Sequence, residues 1–352
     1  MKNLRLFLPL SIFFLAIWTR EFVPCNPLKD DYCQGINQAL SSSFTDEFRE
    51  PSSFFDVFSE RGETKYTNDG LKIIINKRFD NPSIRSTFYI LFGKVEVIAK
   101  SAAGRGIISS VFLQSDDLDE IDLEWIGSAK DTVQSNYFAK GDVRDYSRGG
   151  YHHVEDCHNQ FHNYTIDWTA ESLSFYIDNL KVRQIFNDEP TNVYGYPQTP
   201  MAVYLGTWVG GDPGNQVGTI QWAGGLTDFN DGPFTMEVNR IVISDYSSGK
   251  YYKYHGKSGD WSSIQSIDGT VNGRINQAAN EFSILSSEDV PQNKQNVDSN
   301  GDQSAEKDRR SFSQFSGKFK AESVDNNSTK VEVAKSGILF LFIGGYILSL
   351  FI

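Results

Sequence analysis

The sequence predicts an all-β domain, and three observations carry that prediction. Short apolar or alternating runs recur between turn residues from Leu71 onward. Aromatic residues make up 14% of the chain and Gly is frequent, at 29 residues; and between Leu71 and Tyr246 no long amphipathic helix pattern appears. Short strands, many turns and large flat side chains are the composition of a sandwich or barrel. The 352 residues exceed one ordinary domain, but sandwiches reach ~200 to 250 residues as single units, so one large domain with tails is expected.

At the start, Lys2 and Arg5 precede the apolar run Leu6 to Trp18, the layout of a secretory signal peptide over residues 1–19. Residues 20–50 follow as an N-terminal segment in which Cys25 and Cys33 are expected to pair, since secretion exposes them to an oxidising lumen. Cys157 is then left over, a buried free thiol or a reactive one. The domain proper is expected over residues 51–282. Its clearest strands are Leu71 to Ile75, Thr87 to Phe92, Ile107 to Leu113, Ser172 to Ile177, Met201 to Leu205 and Phe234 to Ile243. The run Ser174 to Arg183 reads as a hairpin with Asp178 and Asn179 at its tip, because Asn tolerates the positive φ such a turn demands.

Trp261 to Phe282 suggests a short helix packed on the domain. Beyond it the composition turns to Ser, Asp, Asn, Gln and Lys, too poor in apolar residues to fold, so residues 283–327 are expected to be a disordered tether. The chain then ends on Gly337 to Ile352, apolar apart from Ser349, preceded by Asn326, Asn327, Ser328, Thr329 and a polar spacer. Small residues, spacer and terminal apolar tail form a GPI-attachment signal over residues 328–352, with Asn327 as the attachment site. A simple C-terminal membrane anchor is the alternative. Asn163-Tyr-Thr is an N-glycosylation sequon.

Lys and Arg number 33 against 45 Asp and Glu, for a net charge of -12. Such a field repels a phosphate backbone, which argues against nucleic acid as partner and leaves a neutral polymer unhindered. The informative stretch is Asp116-Asp-Leu-Asp-Glu-Ile-Asp-Leu-Glu-Trp-Ile-Gly127. As a strand it sends Glu120, Asp122 and Glu124 to one face and Ile121, Leu123 and Trp125 to the other. Three like charges at that density repel one another. Burial would raise at least one pKa, the condition for a carboxylic acid that donates a proton near neutral pH.

Two glycosidase carboxylates at ~5 to 5.5 Å retain stereochemistry. Four residues of strand separate their Cα atoms by roughly 13 Å, so side-chain lean, twist and a bulge are expected to close the gap. A solvated edge strand and a calcium site are the competing readings. The first does not explain alternation with apolar residues, and the second lacks the Gly and mixed ligands of a calcium loop. The crowded His152-His-Val-Glu-Asp-Cys-His158 has zinc-ligand types but neither CxxC nor HExxH spacing, so a polar surface loop is expected there, with no metal and no cofactor.

Asp119-Glu-Ile-Asp-Leu-Glu resembles the active-site signature of glycoside hydrolase family sixteen. Further segments are similar to its fungal Crh-type chitin-glucan transglycosylases: Cys25-Asn-Pro-Leu-Lys, Asn136-Tyr-Phe, Phe161 to Trp168, Gly206-Thr-Trp208, Gly210-Gly-Asp212 and Gly218 to Gly225. The resemblance covers about Cys25 to Phe282. It implies a concave jelly-roll β-sandwich with a cleft for a linear polysaccharide, chitin as donor, β-glucan or chitin as acceptor, and a place on the cell wall.

Carried over position by position, it implies Glu120 as nucleophile, Glu124 as general acid and then base, and Asp122 as the group that tunes them. It makes Trp208 and Thr219 substrate-binding positions. Tyr204, on Trp208's face by period 2, would line the same cleft, with Gln134, Asn136 and Trp222 beside it. The hairpin tip departs from the family in carrying Asn179 in place of Gly. Plain hydrolysis of β-glucan or chitin is the alternative reaction, and an inert lectin-like wall-binding protein the alternative class.

Overall fold

A computed structural model describes residues 25–287 apart from 145, 146, 190, 191, 193 and 194, together with the backbone of Phe340–Ile343 and Tyr346–Ser349. The expected signal peptide, nearly all of the tether and Asn327 lie outside the described residues.

Two antiparallel sheets form the sandwich. The front sheet has seven strands in the spatial order Gly150–His153, Thr132–Phe138, Glu120–Ile126, Ile107–Ser115, Met201–Val209, Ser83–Ser86 and Phe55–Ser59. The back sheet runs Leu180–Phe186, Ser172–Ile177, His162–Trp168, Gly93–Lys100, Phe234–Asp245, Gly70–Ile75 and Glu63–Thr67, with Ser43–Asp46 also paired to Phe234–Asp245. Their inner faces meet on buried Trp125, Tyr164, Trp168 and Phe175, and Trp125 meets Tyr164 edge to face at 4.7 Å. Large rings crossing the interface are the main apolar burial available to a sandwich of this depth. The jelly-roll expectation holds.

Alternation on Glu120–Ile126 is the link between core and function. Ile121, Leu123 and Trp125 are 0, 2 and 1% exposed on the core side, so the intervening carboxylates have no choice but the outer, front face. A one-residue slip would bury three acids in the core, which fixes the register.

The hairpin also forms as expected, with Ser172–Ile177 and Leu180–Phe186 joined at Asp178 (φ 48°) and Asn179 (φ 66°). Two successive positive φ values are the turn that matches strand twist. Asn179 takes the left-handed position without Gly.

Two expected elements differ. Thr87 to Phe92 is not a strand: only isolated bridges pair Ala39 with Tyr89 and Ile90 with Met201. Phe88, Ile90, Leu91 and Phe92 are all buried, because this run crosses from Ser83–Ser86 in one sheet to Gly93–Lys100 in the other through the core. Uninterrupted burial produced the apolar pattern, and no pleat was needed. Trp261 to Phe282 is likewise α-helical only at its end, over Ile275–Ser286, with a single 3-10 turn at Trp261–Ser263. Before that, Ile264–Ile267 joins Tyr251–Tyr254 and Ile36–Gln38 in a small third sheet, and positive φ at Asp268 and Asn272 turns the chain between the two.

Cys25 and Cys33 form a disulfide, and Cys157 is free and buried. No helix among the described residues is long and apolar enough to cross a membrane. Phe340–Ile343 and Tyr346–Ser349, in the expected terminal tail, pair as a two-stranded sheet.

Candidate active site

Register builds the site. Across the front sheet, Glu124 lies opposite Gln134 on one side and Ser110 on the other; Asp122 lies opposite Asn136 and Phe112; Glu120 lies opposite Phe138 and Gln114. The pairing runs without a register shift from Glu120 to Glu124 against Thr132–Phe138 and from Glu120 to Ile126 against Ile107–Ser115. The expected bulge is therefore absent, a correction: sheet twist and side-chain lean alone converge the carboxylates on one cavity. That cavity has a volume of about 650 Å³ and is walled by Glu120, Asp122, Glu124, Gln134, Asn136, Trp208, Thr219 and Trp222.

The first two acids of the stretch play another part. Asp119 is fully buried and accepts the Lys140 ammonium at 2.6 Å, the Lys140 N–H at 2.9 Å, and the Gln198 and Thr199 N–H groups at 2.7 and 3.1 Å. Asp117, also buried, accepts the hydroxyls of Ser115 at 2.5 Å, Tyr254 at 3.1 Å and Thr199. The Lys140 ammonium lies between the two, 2.6 Å from Asp119 and 3.4 Å from Asp117. Asp119 is satisfied in place by these donors, while Asp117 Oδ2 has only the Lys140 ammonium at 3.4 Å; the pair pegs the turn at Leu118 (φ 71°) and sets where the strand Glu120–Ile126 begins.

Electrostatics divide the remaining three. Burial raises the pKa of each. Glu120 is pulled back down by hydrogen bonds from Asp122 and Gln114. Asp122 is pushed well up by burial and then by the charges of Glu120 and Glu124. Burial and the Glu120 charge push Glu124 up to about 8, offset in part by the Trp208 indole. The arrangement that satisfies all three is a protonated Asp122 donating to an ionised Glu120, with a protonated Glu124 two residues on. An ionised carboxylate and a protonated one then face one cavity.

Trp208 and Trp222 stack at 5.9 Å with 23° between their planes, and the Trp222 indole donates to Gln134 at 3.0 Å. Two aromatic planes beside amides are a surface that fits the flat faces and hydroxyls of sugar rings. Tyr204 is the exception among the expected lining residues. It shares the front face but is 7% exposed and lies flat on Phe112 at 4.6 Å, with the Arg85 guanidinium 5.6 Å from its ring. It forms floor beside the cavity rather than wall, because Phe112 in the neighbouring strand claims its ring.

The sequon is corrected as well. Asn163 is 7% exposed on a central back-sheet strand and its side-chain oxygen accepts from Thr165 at 3.0 Å, leaving no room for a glycan on the folded domain. Phe138, Tyr151 and Gln216 line the cavity, as residues that sequence reading passed over. Tyr151 follows from period 2 on the edge strand; Gln216 sits in a loop with no periodic signal. Of the His-rich run, His152 contacts Ser135 Oγ at 2.7 Å.

Comparison with known proteins gives a consistent picture. Residues 52–224 match the family described as Glycosyl hydrolases family 16. The chain is 48% identical over 261 residues to Congo red hypersensitive protein 1 of Saccharomyces cerevisiae, covering 74% of this chain and 51% of that one. It is 42% identical over 267 residues to Crh-like protein 4 of Botryotinia fuckeliana, covering 76% and 70%. A solved structure described as Crh5 transglycosylase in complex with NAG superposes with a TM-score of 0.66 at 41% identity, over 69% of this chain and 99% of that one. The chain spans about half the length of the Saccharomyces relative.

Proposed function

The chain belongs to glycosyl hydrolase family 16, and from that premise we propose that it is a retaining transglycosylase of the fungal cell wall that moves chitin chains onto β-glucan or chitin. The observation that carries the reading is the electrostatic division on the cavity wall. Burial raises Glu120, while hydrogen bonds from Asp122 and Gln114 pull it back toward the ionised form; Glu124 is held up at about 8. Glu120 attacks the anomeric carbon as the glycosidic bond breaks. Glu124 gives its proton to the departing oxygen, then takes one from the acceptor hydroxyl that displaces Glu120. Asp122, kept protonated between them, donates to Glu120 and so favours its charge.

Trp208, Trp222, Gln134, Asn136 and Thr219 serve as the sugar-contacting wall. Stacking planes favour binding of an acceptor sugar and exclude water, which tilts the second step toward transfer. Secretion, a disulfide-clipped start, a tether from about residue 283 and a GPI anchor at Asn327 complete the reading, supported by the apolar ends of the sequence and the Cys25–Cys33 disulfide. The cell-wall polymers reach it on the outer face of the membrane.

Purified protein is incubated with chitin oligosaccharides and a fluorescent β-glucan acceptor. A hybrid product carrying both is expected. Donor shortening with no hybrid would leave plain hydrolysis, and donor binding without turnover would leave a lectin.

A further inference from the structure

We propose that Gln114 is a positioning residue for the reaction: its side-chain amide holds one oxygen of Glu120 and leaves the other as the atom that attacks. The proposal rests on the reading of Glu120 as nucleophile. Gln114 stands on Ile107–Ser115, directly opposite Glu120 in the pairing of those strands. Its Nε2 lies 2.6 Å from Glu120 Oε2, and on its other side the pairing partner is Ala202, which offers no competing side-chain acceptor. Glu120 Oε1, by contrast, is buried and takes no hydrogen bond from an amide, a hydroxyl or a cation. A buried carboxylate oxygen left bare is costly. That cost is explained if the bare oxygen is the one that bonds to the anomeric carbon.

The residue type fits the task. A carboxylate only accepts, so the amide must turn its NH2 toward Glu120. An amide supplies that donor without a full positive charge. A Lys or Arg there would hold the anion more strongly and blunt its attack. The charged and titratable groups that face Glu120 are Asp122 and Glu124 from its own strand and Tyr204, backed by Arg85, from the strands beyond Gln114; Phe138, opposite on the remaining side, carries no charge. No cation therefore duplicates the amide among the groups that act on Glu120. In the step itself the Glu120 Oε1 to carbon bond forms as the carbon to leaving-oxygen bond breaks, and the Glu124 proton passes to the leaving oxygen.

The test compares full-length protein with Gln114→Met, which keeps the volume and removes the donor, and Gln114→Glu, in which the donor is present only while the new carboxyl is protonated. Donor cleavage and the pH dependence of kcat/KM are measured on chitin oligosaccharides. For Gln114→Met, kcat falls about 10- to 100-fold with little change in KM, and the acid limb moves to higher pH because Glu120 has lost a partner for its charge. For Gln114→Glu, the alkaline limb moves to lower pH. A Gln114→Met protein with the parent's kcat and acid limb overturns the proposal, and so do unmoved limbs in Gln114→Glu, which decides alone if Gln114→Met does not fold. Labelling of the parent at a residue other than Glu120 overturns the underlying reading, a result seen before any Gln114 variant is made.

Discussion

At the scale of single residues, Glu124 makes the sharpest prediction. Its pKa of about 8, raised first by burial and then by Glu120, means that it holds a proton through neutral pH. Activity that needs this proton is present below pH 8 and lost as pH rises through it. Glu124→Gln should lower kcat on unactivated donors by roughly 10² to 10⁴ and abolish that alkaline limb, as a pH-rate profile will show. Stability falls in the same direction, starting at a lower pH. An acid whose pKa is higher folded than unfolded loses stabilisation as pH climbs from the unfolded value to the folded one. The parent should therefore lose stability between about pH 4.5 and 8 at this site, while Glu124→Gln does not. Melting temperatures at pH 5 and pH 8.5 compare the two. The alternating acids were legible in the sequence because they interrupt an apolar register. Tyr204 misled because period 2 gives the face of a side chain and not its neighbour: Phe112, one strand away, covers its ring.

At the scale of elements, the strand Glu120–Ile126 depends on its entry turn. Asp119 accepts five hydrogen bonds, one of them from the Thr199 hydroxyl at 2.8 Å, and shares Lys140 with Asp117. Replacing it by Ala leaves the Lys140 ammonium and three N–H groups without their partner, and should cost about 3 kcal/mol or more in chemical denaturation. Asp119→Asn, which keeps the shape and loses the charge, should cost less. Sequence reading grouped Asp117 and Asp119 with the acidic run, since nothing local separates an acid that holds a turn from one that does chemistry. Their donors come from Gln198, Thr199 and Tyr254, some 80 to 137 positions away. The hairpin at Asp178 and Asn179 was legible for the opposite reason, because turn chemistry is local. Thr87 to Phe92 failed because a core crossing and a doubly buried strand share one apolar signature.

At the scale of the whole molecule, every residue that lines the cavity lies within residues 120–222, and the last described helix of the domain ends at Ser286. A protein ending at Ser287 should therefore keep the parent's melting temperature and its transfer rate on soluble donors, which calorimetry and the hybrid-product assay will check. Loss of either would place part of the catalytic unit in the C-terminal stretch. Composition and spacing were enough to foresee a sandwich. The partition of its strands between two sheets was not readable, because long-range pairing of fourteen principal strands depends on contacts that no local pattern contains.

The account's central claim is that Glu120 and Glu124 act on one bound sugar from a single strand face. Time-resolved mass spectrometry of the protein with a slow-releasing fluorinated chitin oligosaccharide tests it most directly. The account predicts a covalent glycosyl adduct on the peptide containing Glu120, formed in the parent and absent from Glu120→Gln, and released faster when an acceptor sugar is added. An adduct on another residue, or turnover with inverted stereochemistry and no adduct, would contradict it.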